Sequence, residues 1–447
     1  MKIITLKSFK LYYKPLLNYD EDNNFIGCHQ YSLERNFMPV LIDKDGLPIE
    51  DVNLYLIYKW ENDSNIDYET LKSTAKSLKI FFKWLQDEEI DYRSAPSPLR
   101  VPTYKYKSFL EDQRNPLLKE KPWSLSYVKN LMSDVVGFYR WLTSEMNVVF
   151  DYQLFKEKEI WKSYNDRSGN RTGKAIITTD IARFNMEQQD IDHTDPTISD
   201  GDKLRPLSYD EQLKFINVIN NIAIEYKLMC LIAITTGARL QTVCTLRSIN
   251  FQKDTKDMNE DKELAVHVGS GTLVDTKFQK SFRIYFPVWL YRQIQIYIAS
   301  PRAKRNRAKA FSFDNDLHQY IFITQQGHPW YTAKNDPNLL KYNQPKTGIA
   351  VADYISKYIR PYLEHPFKFH DLRATFGTNY VDEHSDEKGN VIGESKVLKN
   401  LMDRMGHSNK ETTLKYLKFR HDIKRMNRVE DKYQNELKES FKGLFYA

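Results

Sequence analysis

The stretch 401-LMDRMGHSNKETTLKYLKF-419 decides how the rest of the chain is read. It sets a histidine, His407, on a turn directly before a helical segment, and a tyrosine, Tyr416, nine residues further on. Ser408 and Glu411 have the Ser-x-x-Glu spacing of a capping box, which predicts a helix starting just after His407. Tyr416 then falls about two turns into that helix, at roughly 3.6 residues per turn. Taken alone, the tyrosine is core filling and the histidine a turn residue.

Other segments of the C-terminal half change that reading. In 367-FKFHDLRATFGTNYV-381, His370 and Arg373 stand at i, i+3 on one helix face. In 235-TTGARLQTVCTLRSINF-251, Arg239 follows a glycine turn. Between them, 276-TKFQKSFRIYFP-287 offers Lys277 in a strand–turn–strand pattern. Two arginines, two histidines, a lysine and a tyrosine are the groups that cleavage of a phosphodiester without a metal ion requires. Guanidinium forks match phosphate oxygens and stay charged. A phenol, with a pKa near 10, needs a base or a strongly positive site to act as nucleophile.

This ordered set resembles the tyrosine recombinase (phage integrase) family. TGAR matches its first arginine box, HDLR its His-x-x-Arg box, and MGHS with TTLKY its closing Gly-His…Tyr box. The resemblance is strong over residues 205–420 and looser over 51–150. It implies that Tyr416 attacks the phosphate, giving a 3′-phosphotyrosine and a free 5′-hydroxyl. Arg239 and Arg373 would neutralise the charge growing on the phosphate oxygens, and His407 would donate to the same phosphate. His370 would help to deprotonate Tyr416. Lys277 would protonate the leaving 5′ oxygen; Lys280 competes for this role, and its place in the family's lysine pattern favours Lys277. One position departs from the family. The acidic residue common three places after the first arginine is Thr242 here, which implies altered support of the site without loss of activity.

The rest of the chain is consistent with a DNA enzyme of several domains. At 447 residues it is too long for one ordinary domain. Its net charge of +7 permits nucleic-acid binding without demanding it. Three cysteines, Cys28, Cys230 and Cys244, lack paired spacing, so neither a zinc site nor a disulfide framework is expected and a reducing compartment is. No apolar run approaches the ~18 residues of a membrane span, and the N-terminus does not read as a signal peptide. Residues 1–50 read as a β-rich lead-in or arm, with Asp45-Gly46 as a hairpin turn between FMPVLI and LPIEDV. Residues 51–150 read as a helical domain. Leu71, Ala75, Leu78, Phe82 and Leu85 repeat at helical spacing, as do Val128, Leu131, Val135, Phe138, Tyr139 and Leu142. The opposite faces carry Lys72, Lys76, Lys79, Lys83 and Lys129. By family resemblance this domain clamps the duplex opposite the catalytic domain.

Residues 151–204 are polar and rich in Gly, Asn and Asp, the composition of a linker, with local structure expected around Ile176 to Phe184. Residues 205–447 form the expected catalytic domain. It opens with a capping box at Ser208 and Glu211, and Gly237 ends its second helix. LAVHV, TLVDTKF and SFRIYF read as three short strands, the only clear sheet. PRAKRNRAKA, 301–310, reads as a basic loop contacting phosphates, and YIFITQQGHPW as a further strand and turn. The last segment places Ile423, Met426, Val429, Tyr433, Leu437 and Phe441 on one amphipathic stripe, which packs on its own domain or on a neighbouring subunit.

The expected fold is therefore mainly α with a small β-sheet, a helical DNA-clamping domain followed by a mixed α+β catalytic domain of tyrosine recombinase type. The expected activity is site-specific recombination of double-stranded DNA, by a homodimer on each site and a homotetramer in synapsis, with an accessory DNA-bending protein as a further partner. No cofactor and no metal are expected, and the expected location is the bacterial cytoplasm, at the nucleoid when bound. The rivals are a type IB topoisomerase-like enzyme and a DNA-binding protein with little or no recombination activity.

Overall fold

The computed structural model describes all residues except 14–15, 20–24, 30–31, 64–65, 166–170, 185–196, 261, 364, 387–389 and 421–447. The chain divides into two compact units, Met1–Asp192 and His193–Ala447. The described residues are mainly helical, with five two-stranded antiparallel sheets rather than one. The amphipathic stripe from Ile423 onward lies outside the described residues.

The first unit starts with a long antiparallel ribbon. β1 (Lys2–Tyr12) pairs with β4 (Ser32–Ile42), and β2 (Leu16–Tyr19) pairs with β3 (Phe25–His29). The turn at Asp45-Gly46 does not join two strands as its sequence suggests. Asp43 accepts the amides of Asp45 and Leu47, Gly46 takes a left-handed φ of 85°, and the chain enters α1 (Glu50–Asn62). α2 (Tyr68–Asp87), α3 (Pro102–Arg114) and α4 (Leu125–Ser144) complete a helical cluster. The related phrases FFKWL and FYRWL bury their apolar residues against one another: Phe82 and Phe138 stand edge to face with centroids 5.6 Å apart. Lys76, Lys83 and Lys129 remain exposed on the outer faces.

The stretch expected as a linker is not plain coil. β5 (Glu157–Asn165) and β6 (Arg171–Thr179) form a nine-pair hairpin. A second, shorter hairpin, β7 (Ile198–Ser199) with β8 (Lys203–Leu204), belongs to the second unit. It turns through Asp200-Gly201-Asp202, with Gly201 at φ 79°.

In the second unit, α5 (Tyr209–Asn220) opens with the expected capping box. Ser208 Oγ accepts the Glu211 amide, and the Glu211 carboxylate accepts the Ser208 amide. α6 (Ile224–Thr236) is apolar and ends at Gly237, φ 69°. α7 (Leu240–Thr245) follows at once, with Arg239 as its first flanking residue. β9 (Glu263–Val268) pairs with β10 (Phe282–Pro287). The third strand expected at TLVDTKF is absent. Thr272 and Thr276 donate to the Gly269 and Lys280 carbonyls, so the backbone there is satisfied locally and folds as a turned loop. The loop ends in a 3-10 turn, Lys277–Gln279, in which Phe278 and Gln279 have positive φ.

α8 (Val288–Ala299) and α9 (Pro301–Ala308) come next. The stretch expected as a basic loop is thus a helix, started by Ser300 as cap and Pro301 in the first turn. YIFITQQGHPW makes isolated bridges, Arg247 to Tyr320 and Ile323 to Pro329, and no strand. α10 (Ile349–Tyr358), α11 (Asp371–Glu383), α12 (Glu394–Met405) and a last helix, α13 (410–420), follow. α11 to α13 share a core of Ala374, Phe376, Leu398, Leu401, Met405 and Leu417, joined by Ile198 and Leu204 of the short hairpin.

Candidate active site

Arg373 is the centre of the site. α11 begins at Asp371, whose buried carboxylate accepts the backbone amides of Arg205 and Lys368 and so fixes the helix start. That places Arg373 in the first turn, 1% exposed. Its Nη1 donates to the Gly237 carbonyl at 2.6 Å and its Nη2 to the Met405 carbonyl at 2.9 Å. These carbonyls end α6 and α12, where helix termini leave acceptors unpaired and partially negative. The two helix ends thus hold the guanidinium in one orientation, with Nε turned inward.

Arg239 reaches the same place from the turn between α6 and α7. Gly237 permits this turn on two counts: its φ is left-handed, and a Cβ there would lie 2.5 Å from the Phe376 ring. Burial, with Arg373 as a like-charged neighbour, lowers the Arg239 pKa to about 10, which leaves it a cation at neutral pH.

His407 follows Gly406, a left-handed residue that ends α12. The imidazole is 4% exposed, and Thr413 Oγ1 lies 2.8 Å from Nδ1. The expected capping box at Ser408 does not form. Asn409 accepts the Glu411 amide instead, so α13 starts two residues after Ser408. This shift leaves Tyr416 facing inward, fully buried, its ring against the backbone of α11 at Gly377.

All four side chains converge on one carboxylate that the boxes do not contain. Asp200, at the turn of the β7–β8 hairpin, is 3% exposed. Its Oδ2 accepts from Arg373 Nε at 2.8 Å, lies 3.1 Å from His407 Nε2, and accepts from the Tyr416 hydroxyl at 3.1 Å. Its Oδ1 accepts from Arg239 Nη2 at 3.1 Å. Burial opposes the charge of Asp200, but the His407 hydrogen bond and the two arginines outweigh it and hold the carboxyl far below its usual range. An ionised carboxylate only accepts, so His407 carries its proton on Nε2 and accepts a hydrogen bond from the Thr413 hydroxyl at Nδ1. Burial lowers the His407 pKa, consistent with that neutral form. Tyr416 is pushed well above the usual phenol value, by burial first, with Asp200 adding to the rise and the two arginines opposing it.

His370 precedes α11 and is partly buried. Burial, then Arg373 and Arg239, lower its pKa to about 4. Lys277 is exposed beside the same hairpin: a Cβ added to Gly201 would lie 3.4 Å from its ammonium. Lys280 also lies beside the site, donating to the His407 carbonyl at 2.6 Å. Thr242 is buried in α7. The acidic group among these residues is Asp200. No signal in the sequence marks it, because SDGD reads as a polar turn. Gly377 was detectable, since a glycine inside a helical pattern signals close approach of a neighbour.

The basic stretch of α9 is largely committed to its own fold. Arg302 pairs with buried Glu225 at 2.6 Å, Arg307 donates to the Ile298 carbonyl and Lys309 to the Gln325 carbonyl. Lys304 and Arg305 are exposed. No described helix is long and apolar enough to cross a membrane.

Residues 205–422 match the sequence model of the phage integrase family. No curated protein matches the chain. Solved structures similar to it include the Tn1549 transposon integrase in complex with transposon right end DNA, 17% identical, covering 82% of this chain and 94% of that one at a TM-score of 0.42. The XerH site-specific recombinase bound to palindromic difH substrate is 15% identical over 86% of this chain and 85% of that one, with a TM-score of 0.48. A lambda integrase dimer bound to a core site is 13% identical over 82% and 94%, with a TM-score of 0.43.

Proposed function

Residues 205–422 belong to the phage integrase family, and from that premise we propose that this chain is a site-specific DNA recombinase that cuts through Tyr416. The observation that carries the reading is the convergence of Arg239, Arg373, His407 and Tyr416 on a single anion within one chain. Two cationic forks, an imidazole N–H and a phenol around one negatively charged group suit a phosphodiester undergoing in-line attack.

In this mechanism the scissile phosphate takes the place of the Asp200 carboxylate. Arg239 and Arg373 hold its non-bridging oxygens, and His407 Nε2–H donates to one of them. The Tyr416 oxygen attacks phosphorus while its proton passes to His370, which is neutral and able to accept it. The bond from phosphorus to the 5′ oxygen breaks, and Lys277 protonates that oxygen. The product is a 3′-phosphotyrosine and a 5′-hydroxyl. Attack by a partner strand's 5′-hydroxyl reverses the step and joins new strands, without an outside energy source. The nucleophile acts in cis, since Tyr416 and both arginines bond the same group.

The partner is double-stranded DNA, bound by a dimer on each site and a tetramer in synapsis, with an accessory bending protein where a site requires one. Lys76, Lys83 and Lys129 of the first unit, and Lys304 and Arg305 of α9, are suited to phosphate contact, so binding falls steeply with salt. The setting is the bacterial cytoplasm. The test is covalent capture: wild-type protein on a nicked duplex carrying its site forms a protein–DNA adduct stable to denaturation.

A further inference from the structure

We propose that Asp200 is a built-in occupant of the phosphate subsite, and that the β7–β8 turn is an autoinhibitory plug that the scissile phosphate displaces. The inference rests on the recombinase reading of the site. Asp200 takes hydrogen bonds from both arginines, His407 and Tyr416 at 2.8 to 3.1 Å. Those are the groups which that reading assigns to the phosphate. A second anion cannot enter while the carboxylate is there, for lack of room and by like-charge repulsion.

The neighbouring chemistry favours a plug over a catalytic carboxylate. Asp200 accepts the Tyr416 proton in a hydrogen bond, yet its arginines and His407 make it too weak a base to remove that proton. Its charge also raises the phenol pKa, the reverse of what a nucleophile needs. Withdrawal of Asp200 removes its contribution to that rise and frees the Tyr416 hydroxyl, while the entering phosphate takes over the two arginines. One displacement would thus admit the substrate and release the nucleophile.

The hairpin is built to move. Its strands have two residues each, paired Ile198 to Leu204 and Ser199 to Lys203. Ile198 and Leu204 anchor it in the α11–α13 core. The tip is held from outside by exposed lysines: Lys368 donates to Asp202 Oδ2 at 2.7 Å and to the Lys203 carbonyl, and Lys415 donates to the Ser199 carbonyl at 3.1 Å. Exposed pairs of this kind contribute little stability. DNA phosphates compete for the same lysines, so a bound duplex loosens the latch as it supplies the replacement anion. If the open state holds about 0.1–10% of the population, the plug lowers apparent anion affinity about 10- to 1000-fold.

The test uses the full chain, wild type and Asp200→Asn, with inorganic phosphate as the first probe. Thermal unfolding is followed against phosphate concentration. The variant should gain melting temperature at phosphate concentrations at least about tenfold below those the wild type needs. An Asn variant that folds only with phosphate supports the proposal equally, because its arginines then lack a counter-charge. Equal responses in both proteins overturn it. On a nicked duplex below saturation, the variant should form adduct at least about tenfold faster than wild type. Slower adduct formation overturns the proposal and makes Asp200 a positioning residue. If the variant does not fold under any condition, amide exchange of residues 200–203 in wild type decides: faster exchange with duplex bound supports the plug, unchanged or slower exchange overturns it. The phosphate arm needs no DNA, so it tests the plug alone. Absence of a Tyr416-dependent adduct from both proteins would count against the recombinase reading instead.

Discussion

The ring of Tyr416 lies directly on the backbone of Gly377: a Cβ added to Gly377 would stand 2.4 Å from the ring carbons Cδ1 and Cε1. α11 therefore presents two things to the site from one helix, the Arg373 guanidinium and a bare surface that receives the Tyr416 ring. Gly377→Ala forces the ring or helix α13 to shift. We expect a loss of about 1–3 kcal/mol in stability from overpacking, and a fall in adduct formation larger than any fall in DNA binding. Denaturant unfolding, an adduct assay and a binding titration on one preparation check it. An alanine variant with wild-type adduct rate would show that the ring need not sit there.

The two arginines should separate in their effects. Arg373 is buried and ties α6 to α12 as well as binding the anion. Arg373→Ala leaves those carbonyls and Asp200 short of a partner, costing about 3–5 kcal/mol in addition to activity. Arg239 is partly exposed and makes one anion contact in this state. Arg239→Ala should lower the cleavage rate by about 10²–10³ with a smaller loss of stability. Chemical denaturation of both variants, set beside single-turnover rates, reads the difference.

Thr413 anchors the His407 ring, whose tautomer Asp200 sets. Thr413→Val removes the hydroxyl that donates to Nδ1 and leaves a buried nitrogen unpaired, at about 1–3 kcal/mol. The proton should stay on Nε2, where Asp200 accepts it, but the ring loses its second anchor, and cleavage should fall while duplex binding holds. Nitrogen NMR of the His407 ring in wild type and variant gives the direct readout.

His370 yields a pH prediction. Its folded pKa of about 4 lies below the ordinary 6.5 because burial and then two arginines penalise the imidazolium. A depressed folded pKa contributes stability that is present above 6.5 and is lost as pH falls through about 4. The neutral imidazole, the base proposed for Tyr416, is likewise available across that range. Adduct rates on a nicked duplex should therefore show no half-maximum near pH 6.5, and the acid limb should appear near pH 4. An acid limb centred on 6.5 that disappears in His370→Gln would contradict the assigned environment.

The boxes around Arg239, His370, Arg373, His407 and Tyr416 were legible because each is a short local motif on a turn or helix start. Their convergence depends on three glycines, at 237, 377 and 406, which let backbone and rings approach. Asp200 was not legible. Its burial comes from contacts with residues 39 to 216 positions away, and the local composition is that of a solvated turn. Local polar satisfaction explains most other differences: the threonines of 272–276 dissolve an expected strand, Asn409 displaces Ser408 as cap, and Ser300 with Pro301 begins a helix in a basic stretch. The linker composition of 151–204 leaves room for local structure around Ile176 but does not mark the nine-pair hairpin at 157–179, because its polar residues carry no strand alternation.

Tyr416 is proposed as the nucleophile, in cis with Arg239 and Arg373. The most direct measurement incubates wild type and Tyr416→Phe with nicked duplexes from the native genomic neighbourhood and resolves them under denaturing conditions, with a binding assay alongside. Wild type should give a shifted covalent band, Tyr416→Phe none, and both should bind DNA. A band of equal intensity in Tyr416→Phe, or no wild-type band on any duplex that it binds, would contradict it.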